Sequence, residues 1–209
     1  MAWTFYNSSG EQLIYDAATA GVTLSGTTDN TVTTVTAANA IQGEANLTFD
    51  GTTLTTAGQI AFPATQSASA NANTLDDYEE GTFTPTLVDN SNTGGTYNGQ
   101  VGRYQKIGNR CFFQLFLRTT NTTGLTGTDQ AYITGLPFAA VNVTYAHAGA
   151  YACSYGSLGM GNALTADLMA NASKLRLQKV TGSAGTLQIT INEWSSDGEA
   201  IFVGQYETA

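Results

Sequence analysis

The sequence predicts an all-β protein, and three observations support that prediction. Only 11% of the 209 residues are charged, less than half the usual share of about 25%. Thr, Ser, Asn and 23 Gly occupy many of the remaining positions, and these residues suit strands and turns, whereas strong helix formers such as Lys, Arg and Met are scarce. Short alternating apolar runs are separated by glycine-rich turns, which is typical of a β-sandwich or jelly roll.

Three large apolar side chains, Trp3, Phe5 and Tyr6, lie within the first six residues. Chain termini usually fray, and leaving such a side chain in water forgoes about 1.5–3 kcal/mol of burial free energy. We therefore expect another surface to cover them. Packing against the protein's own body is the alternative.

Residues 21–75 are too poor in large apolar groups to form a core of their own. Twelve threonines fall between residues 21 and 60, and Asp50-Gly51 is a strong turn signal for a hairpin. So few Leu and Phe side chains cannot offset the entropy of ordering the chain. Disorder, packing on the next domain and intertwining with identical chains are the alternatives. We favour an intertwined, extended shaft, because three chains can pool their sparse apolar side chains along one axis.

Residues 76–209 carry the alternation of a compact β domain. Residues 100–106 and 110–118 flank the turn sequence I-G-N and predict a β-hairpin. A short helix of about two turns is predicted over residues 162–170. This part of the chain is expected to fold as a sandwich-like head. Further strands are predicted over residues 131–134, 141–155, 174–180, 186–192 and 200–206.

The second strand of that hairpin has an apolar aromatic residue on each face, because Phe112 and Phe113 are adjacent and side chains alternate. We therefore expect the domain core to cover one face, and a second sheet or a neighbouring subunit to cover the other. A strand is also predicted over residues 81–88, where Pro85 indicates a sheet edge or a bulge.

The net charge of −9 is unevenly distributed, since no Lys or Arg precedes residue 103. An acidic protein is a poor partner for nucleic acid, which needs a basic face, and for anionic membranes. The missing basic N-terminal region argues against a typical secretion signal, and no apolar run approaches the length of a membrane span. We therefore predict no nucleic-acid binding and no membrane insertion. The seven positive residues are Arg103, Lys106, Arg110, Arg118, Lys174, Arg176 and Lys179.

The two cysteines, Cys111 and Cys153, each lie in a strand-like run. A disulfide between them is one alternative in a domain of this size. We favour the other, in which both are buried and act as small apolar groups.

The most distinctive string of the sequence is L-D-D-Y-E-E-G-T-F-T-P-T-L, at residues 75–87. Together with five other strings, it resembles the tail-fibre and other virion-appendage proteins of tailed bacteriophages, particularly those of aquatic bacteria. The resemblance extends from the first residue to about residue 140. The other strings are M-A-W-T-F-Y-N-S-S-G-E-Q-L at 1–13, A-N-L-T-F-D-G-T-T-L at 45–54, G-Q-I-A-F-P at 58–63, G-R-Y-Q-K-I-G-N at 102–109 and A-Y-I-T-G-L-P-F-A at 131–139.

The resemblance implies a homotrimer on the virion, assembled in the bacterial host cytoplasm. Residues 1–20 would bind other virion proteins of the tail, portal or capsid, with Trp3, Phe5 and Tyr6 as the attachment residues. Residues 21–75 would form the shaft and linker, and residues 76–209 a β-sandwich head that contacts a host surface polysaccharide or protein. The chain is short for a long fibre, so its mounting position on the particle stays open.

Asp76, Asp77, Glu79 and Glu80 form the densest carboxylate cluster of the sequence. Oxygen ligands of this kind suit Ca²⁺, but their spacing fits no EF-hand loop. A solvated acidic turn is the alternative, and we predict neither a metal site nor a cofactor.

The sequence offers no convergent set of acid, base and nucleophile, so we predict no catalytic residue and no enzyme. A single histidine, His147, excludes a zinc site with several histidines. Lys174, Arg176 and Gln178 alternate along one predicted strand and form the most basic patch, which would contact acidic polysaccharide or be a solvated sheet face. A trimeric capsid decoration protein and a carbohydrate-binding module are the alternative functions.

Overall fold

A computed structural model gives the fold, and the chain divides into two units, Met1–Ala61 and Phe62–Ala209. This division falls inside the segment predicted as shaft and linker, and the three-part layout of 1–20, 21–75 and 76–209 stays a prediction. The structure describes residues 5–6, 8–10, 12–13, 23–25, 31–37, 40–63, 71, 74–75, 77–143, 148–168, 170–182 and 185–209.

The described residues of the first unit form two small sheets. The strands are β1 (Phe5–Tyr6), β2 (Gln12–Leu13), β3 (Thr23–Ser25), β4 (Thr31–Ala37), β5 (Ala40–Phe49) and β6 (Leu54–Thr56). In the first sheet β1 pairs antiparallel with β2, and in the second β5 pairs in parallel with β3 and antiparallel with β4 and β6.

The hairpin predicted at Asp50-Gly51 is confirmed by the pairing of β5 with β6. The Asp50 carboxylate accepts hydrogen bonds from the backbone N–H groups of Thr52 and Thr53, at 2.8 and 2.7 Å. The two large apolar side chains that flank this turn remain in water, since Phe49 is 49% exposed and Leu54 is 59% exposed. This hairpin therefore gains little from burial within one chain.

The described residues of the second unit contain ten strands, which form one antiparallel sheet. They are β7 (Tyr78–Phe83), β8 (Thr86–Val88), β9 (Thr96–Ile107), β10 (Arg110–Asn121), β11 (Tyr132–Thr134), β12 (Ala148–Gly156), β13 (Leu164–Leu168), β14 (Leu175–Val180), β15 (Thr186–Gln188) and β16 (Glu199–Glu207). The strand order is β7-β9-β10-β16-β12-β13-β14-β11-β8, and β15 also pairs with β14. A short α-helix, α1 (Ile191–Trp194), precedes the last strand.

The sheet curls until its two ends meet. β7 and β8 stand at opposite ends of the strand order, yet only Thr84 and Pro85 separate them in the chain. Pro85 has no N–H to donate, which ends the strand predicted over residues 81–88. Gln100 Nε2 holds the junction by donating a hydrogen bond to the Pro85 carbonyl at 2.8 Å. Gly135, with φ of +99°, packs so closely that a Cβ would lie 2.3 Å from the Thr84 carbonyl oxygen.

The inner surface of the curled sheet holds the core, which draws on nearly every strand. Phe113 on β10 lies against Gly204 on β16, where an added Cβ would lie 2.7 Å from the ring. Trp194 of α1 is fully buried and donates from its indole Nε1 to Thr119 Oγ1 at 3.0 Å. The largest fully buried side chains are Trp194, Tyr206, Phe202, Leu87, Leu115, Leu117, Ile133, Leu168, Leu175, Leu177, Ile189 and Ile191.

The all-β prediction is confirmed, and so is the hairpin around residues 107–109, where Arg110 pairs with Ile107. The helix predicted over residues 162–170 is wrong. Strand β13 occupies that segment, because Leu164, Ala166 and Leu168 are buried while the residues between them are not. That spacing has the period of two that belongs to a strand.

The prediction for the cysteines is half wrong. Cys111 is buried on β10, but Cys153 is exposed on β12, and both are free thiols. Cys153 falls at an irregularity in the pairing of β12 with β16, between Ala152 and Ser154.

Among the described residues, none of the helices has the length and apolar character that a membrane crossing requires.

Candidate functional site

The outer face of β7, β9, β10 and β16 contains a groove of about 660 Å³. Alternation along each strand sets its composition, because the core takes every second residue and the groove takes the others. The cross-strand register places Gln114 beside both Arg103 and Val203. The side chains that point into the groove come from Glu80 and Thr82 on β7, Arg103 and Gln105 on β9, Phe112 and Gln114 on β10, and Val203 on β16.

Arg103 is the cation of the groove, and it is unpaired. All seven positive residues lie in the described part of the chain, and four of them form ion pairs. Lys174 instead lies 4.1 Å from the centre of the Tyr132 ring. In the part of the chain that the structure describes, Arg103 and Arg110 are the two cations without an ion-pair, hydrogen-bond or ring partner for their side chains. The ion pairs are Lys106–Asp77, Arg118–Glu199, Arg176–Asp167 and Lys179–Glu193.

Phe112 provides the aromatic surface of the groove and is 43% exposed. In the register of the sheet it stands between Gln105 and Gln205. Apolar side chains continue beyond it on the same face, where Val101 and Tyr151 are exposed. An exposed apolar surface that is rimmed by polar groups marks an interaction site more often than chance.

Glu80 is the one carboxylate among the residues that line the groove. Tyr78 donates its hydroxyl to Glu80 Oε2 at 2.9 Å, and this hydrogen bond raises the pKa of Tyr78. Tyr78, Glu80 and Thr82 follow one another on the outer face of β7, and Thr82 is the cross-strand neighbour of Arg103. The hydrogen bond therefore ties the Glu80 carboxylate to Tyr78 on the outer face of β7.

Asp77 and Glu79 project to the opposite face and bind other partners. Asp77 forms an ion pair with Lys106, and both side chains are almost fully buried. The Lys106 ammonium also lies 5.5 Å from the centre of the Phe138 ring. These contacts fasten β7 to β9 from the core side, beneath the groove.

Glu79 accepts a hydrogen bond from the Tyr104 hydroxyl, which is the main reason why the pKa of Tyr104 rises to about 12. The acidic cluster of the sequence is thus divided, with Asp77 and Glu79 on one face of β7 and Glu80 on the other, while Asp76 lies outside the described residues. In the part of the chain that the structure describes, no three His, Cys, Asp or Glu side chains converge on a metal-sized site.

The predicted attachment residues are only partly described. Phe5 and Tyr6 form β1, opposite Leu13 and Gln12, and Trp3 lies outside the described residues. Their role in attachment stays a prediction.

The two cations of the predicted basic patch, Lys174 and Arg176, have partners within the chain. The Arg176 guanidinium donates from Nε to Asp167 Oδ1 at 2.8 Å, and Lys174 lies over Tyr132. The sequence pointed to this patch and missed the groove. The hairpin register could have placed Arg103 beside Gln114. The flanking strand β16 is distant in sequence, however, and β8 separates β7 from β9 in the chain.

Comparison with known proteins finds similarity only at the level of the fold. No protein-family model matches the sequence, and no curated protein does. Among solved structures, the crystal structure of the Dettilon tailspike protein is similar, with a TM-score of 0.53 and 20% sequence identity over 63% of this chain. The fold resembles part of a tailspike. This chain spans about a quarter (24%) of the length of that tailspike.

Proposed function

We propose that this protein is a structural component of a phage virion, a tail appendage that contacts the host cell surface. The observation that carries the proposal is the similarity of its fold to a tailspike over 63% of the chain. The strings that resemble phage fibre proteins support the same class independently of the fold. In this proposal the second unit makes the contact, through the outer face of β7, β9, β10 and β16.

A homotrimer is part of the proposal. Phe49 and Leu54 are exposed in one chain, and three chains would bury such side chains against one another. Three copies of a weak surface site would then act together, and linked sites raise the effective affinity by about 10²–10⁴. Trp3, Phe5 and Tyr6 would attach the trimer to other virion proteins.

Catalysis is not part of the proposal. Hydrolysis of a glycosidic bond normally requires two carboxyl groups about 5–10 Å apart. Glu80 is the single carboxylate that lines the groove, so binding without cleavage is the expected activity. Incubation of the protein with purified host surface polysaccharide should release no new reducing ends.

The decisive test uses an antibody raised against the purified protein. We expect the antibody to label intact virions at the tail in immunogold electron microscopy and to block their adsorption to host cells. Purified protein should compete with virions for the same cells. Label on the capsid without any block of adsorption would instead support the decoration protein, and absence of label would overturn the virion assignment.

Light scattering of the full chain tests the trimer separately. A trimer would have three times the 21.8 kDa mass of one chain. A monomer at micromolar concentration would contradict the intertwined shaft, but it would leave the assignment to the virion in place.

A further inference from the structure

We infer that the groove on the outer face binds a carboxylate-bearing sugar unit of an acidic surface polysaccharide. This inference rests on the proposed function and names the chemical class of ligand for the same surface. The two side chains expected to contact the sugar are Arg103, which would bind its carboxylate, and Phe112, on which its ring would stack.

The charge pattern of the second unit makes Arg103 unusual. This unit contains all seven Lys and Arg residues and eleven of the sixteen Asp and Glu residues. Five of the seven cations are occupied by an internal carboxylate or an aromatic ring. The Arg103 guanidinium is unpaired, exposed and lines the groove, so it is available to an external anion. Its planar fork of donors matches a carboxylate in two parallel hydrogen bonds.

The surroundings of Arg103 suit a sugar ring better than a protein segment. Gln114 is its cross-strand neighbour on β10, and Gln105 is the next outward residue on β9. Both carboxamides can donate and accept, as hydroxyl groups on a ring require. Phe112 offers an exposed flat face on which the apolar face of a sugar can stack, and a few convergent polar groups around an apolar surface are the usual composition of a ligand site.

The groove offers one cation to one ligand carboxylate. Arg103 is the single cation among the lining residues, and Glu80 is the single carboxylate. A phosphate group, which carries more charge and more acceptor oxygens, normally recruits several donors and cations. A sugar carboxylate needs only the guanidinium, and Glu80 can accept a hydrogen bond from a ring hydroxyl.

The test uses the full-length protein and three acidic polysaccharides as probes: polygalacturonate, alginate and polysialate. Each is compared with its own carboxyl-reduced form, in which the carboxylates have become alcohols. We expect calorimetry to detect binding of at least one acidic probe, weaker in high salt because exposed charges are screened, and no binding of its reduced form. Binding of none of the three, or equal binding of an acidic probe and its reduced form, would overturn the inference.

Substitutions locate the site. Arg103→Gln should weaken binding by about tenfold, the loss expected for a charge-assisted hydrogen bond, and Phe112→Ala should weaken it similarly. Arg110→Gln is the matched control, because Arg110 is the other unpaired cation and does not line the groove. Equal effects of Arg103→Gln and Arg110→Gln would show non-specific charge attraction and overturn the site.

Two measurements distinguish this inference from a subunit contact on the same face and from the proposed function. If Arg103→Gln or Phe112→Ala changes the solution mass of the protein, the face is a subunit contact and the inference is wrong. If virions carry the protein at the tail but binding to cells is unaffected by Arg103→Gln, the proposed function stands and the groove assignment falls.

Discussion

The two faces of strand β10 differ sharply in burial, because alternate residues among its twelve point to opposite faces. On the inner face Phe113 is 6% exposed, and its neighbours Leu115 and Leu117 are fully buried. On the outer face Phe112 is 43% exposed, and Gln114 stands beside an unpaired Arg103. The difference teaches that one strand can specify the core with every second residue and leave the others free for recognition. Substitutions on the two faces should therefore affect different properties.

The largest effect is expected from Phe113→Ala, with Phe112→Ala as its matched control. Removal of a buried Phe side chain costs about 4 kcal/mol through lost burial and the cavity that remains, whereas an exposed Phe should cost less than about 1 kcal/mol. Urea denaturation of the two variants measures the free energy of unfolding directly. Equal losses would mean that the outer face is covered in solution, and the contrast between the faces would fail.

A slightly smaller loss of the free energy of unfolding is expected from Lys106→Met, because this substitution leaves the buried Asp77 carboxylate unpaired. Breaking one partner of a buried ion pair costs about 3 kcal/mol, while replacing both partners with apolar groups is nearly neutral. The double variant Lys106→Met with Asp77→Leu should therefore recover most of the stability in thermal denaturation. If the double variant is no more stable than the single one, the pair is not the reason for the loss.

The carboxylate of Asp89, in a loop, provides a second comparison between a buried and an exposed side chain. Asp89 is buried, which disfavours its charge, but it accepts hydrogen bonds from the backbone N–H groups of Ser91, Asn92 and Thr126 and from the Asn92 side chain. These four bonds outweigh the burial and hold the pKa of Asp89 well below its usual range. A depressed pKa contributes stability that is present above the unfolded value of about 3.9 and is lost as the pH falls below it.

We therefore expect Asp89→Asn to destabilise the protein by about 2 kcal/mol at pH 7, and this difference should shrink as the pH falls from 4 to 2. Asp50→Asn is the control, since Asp50 accepts similar bonds from Thr52 and Thr53 but is fully exposed. Stability curves at several pH values provide the measurement. A difference that stays constant down to pH 2 would contradict a charged Asp89 in the folded state.

The two cysteine thiols should differ strongly in reactivity, and substitution of the exposed one should change the stability least. Cys153 is exposed and Cys111 is buried, and burial raises the pKa of Cys111, which further lowers its reactivity. We expect a maleimide to add once to the native protein and twice after denaturation, as measured by intact mass. The variant Cys153→Ser should take no label while folded; label on it would mean that Cys111 is accessible.

The sequence predicts the local features of this fold and misses the distant ones. The hairpin at residues 107–109 and the alternation along β10 were predicted correctly, because a turn signal and a period of two are both local. The helix prediction over residues 162–170 failed because Ala, Leu and Met favour a helix locally, whereas burial of Leu164 and Leu168 in the sheet decides the outcome. In such segments tertiary packing overrides the intrinsic helix propensity of the residues.

The groove depends on the pairing of β7 and β16 with the β9–β10 hairpin, which no local sequence pattern predicts. Register across the β9–β10 hairpin could have brought Arg103 and Phe112 to one face, but Glu80 and Val203 join them only because β7 and β16 flank that hairpin. β8 lies between β7 and β9 in the chain, and β16 is far from β10, so these strands could pair in many orders that satisfy the same alternation. The site therefore follows from topology, which a single sequence does not specify.

The junction at Thr84 and Pro85 has a consequence for how this protein behaves when it is crowded. An open sheet ends in two rows of unpaired backbone groups, and such rows recruit strands from other molecules and seed aggregates. Here the two end strands are brought together by a two-residue link, one of them is only three residues long, and the proline removes a donor at the start of that strand. Many copies concentrated in one small place should therefore resist pairing edge to edge and stay separately folded.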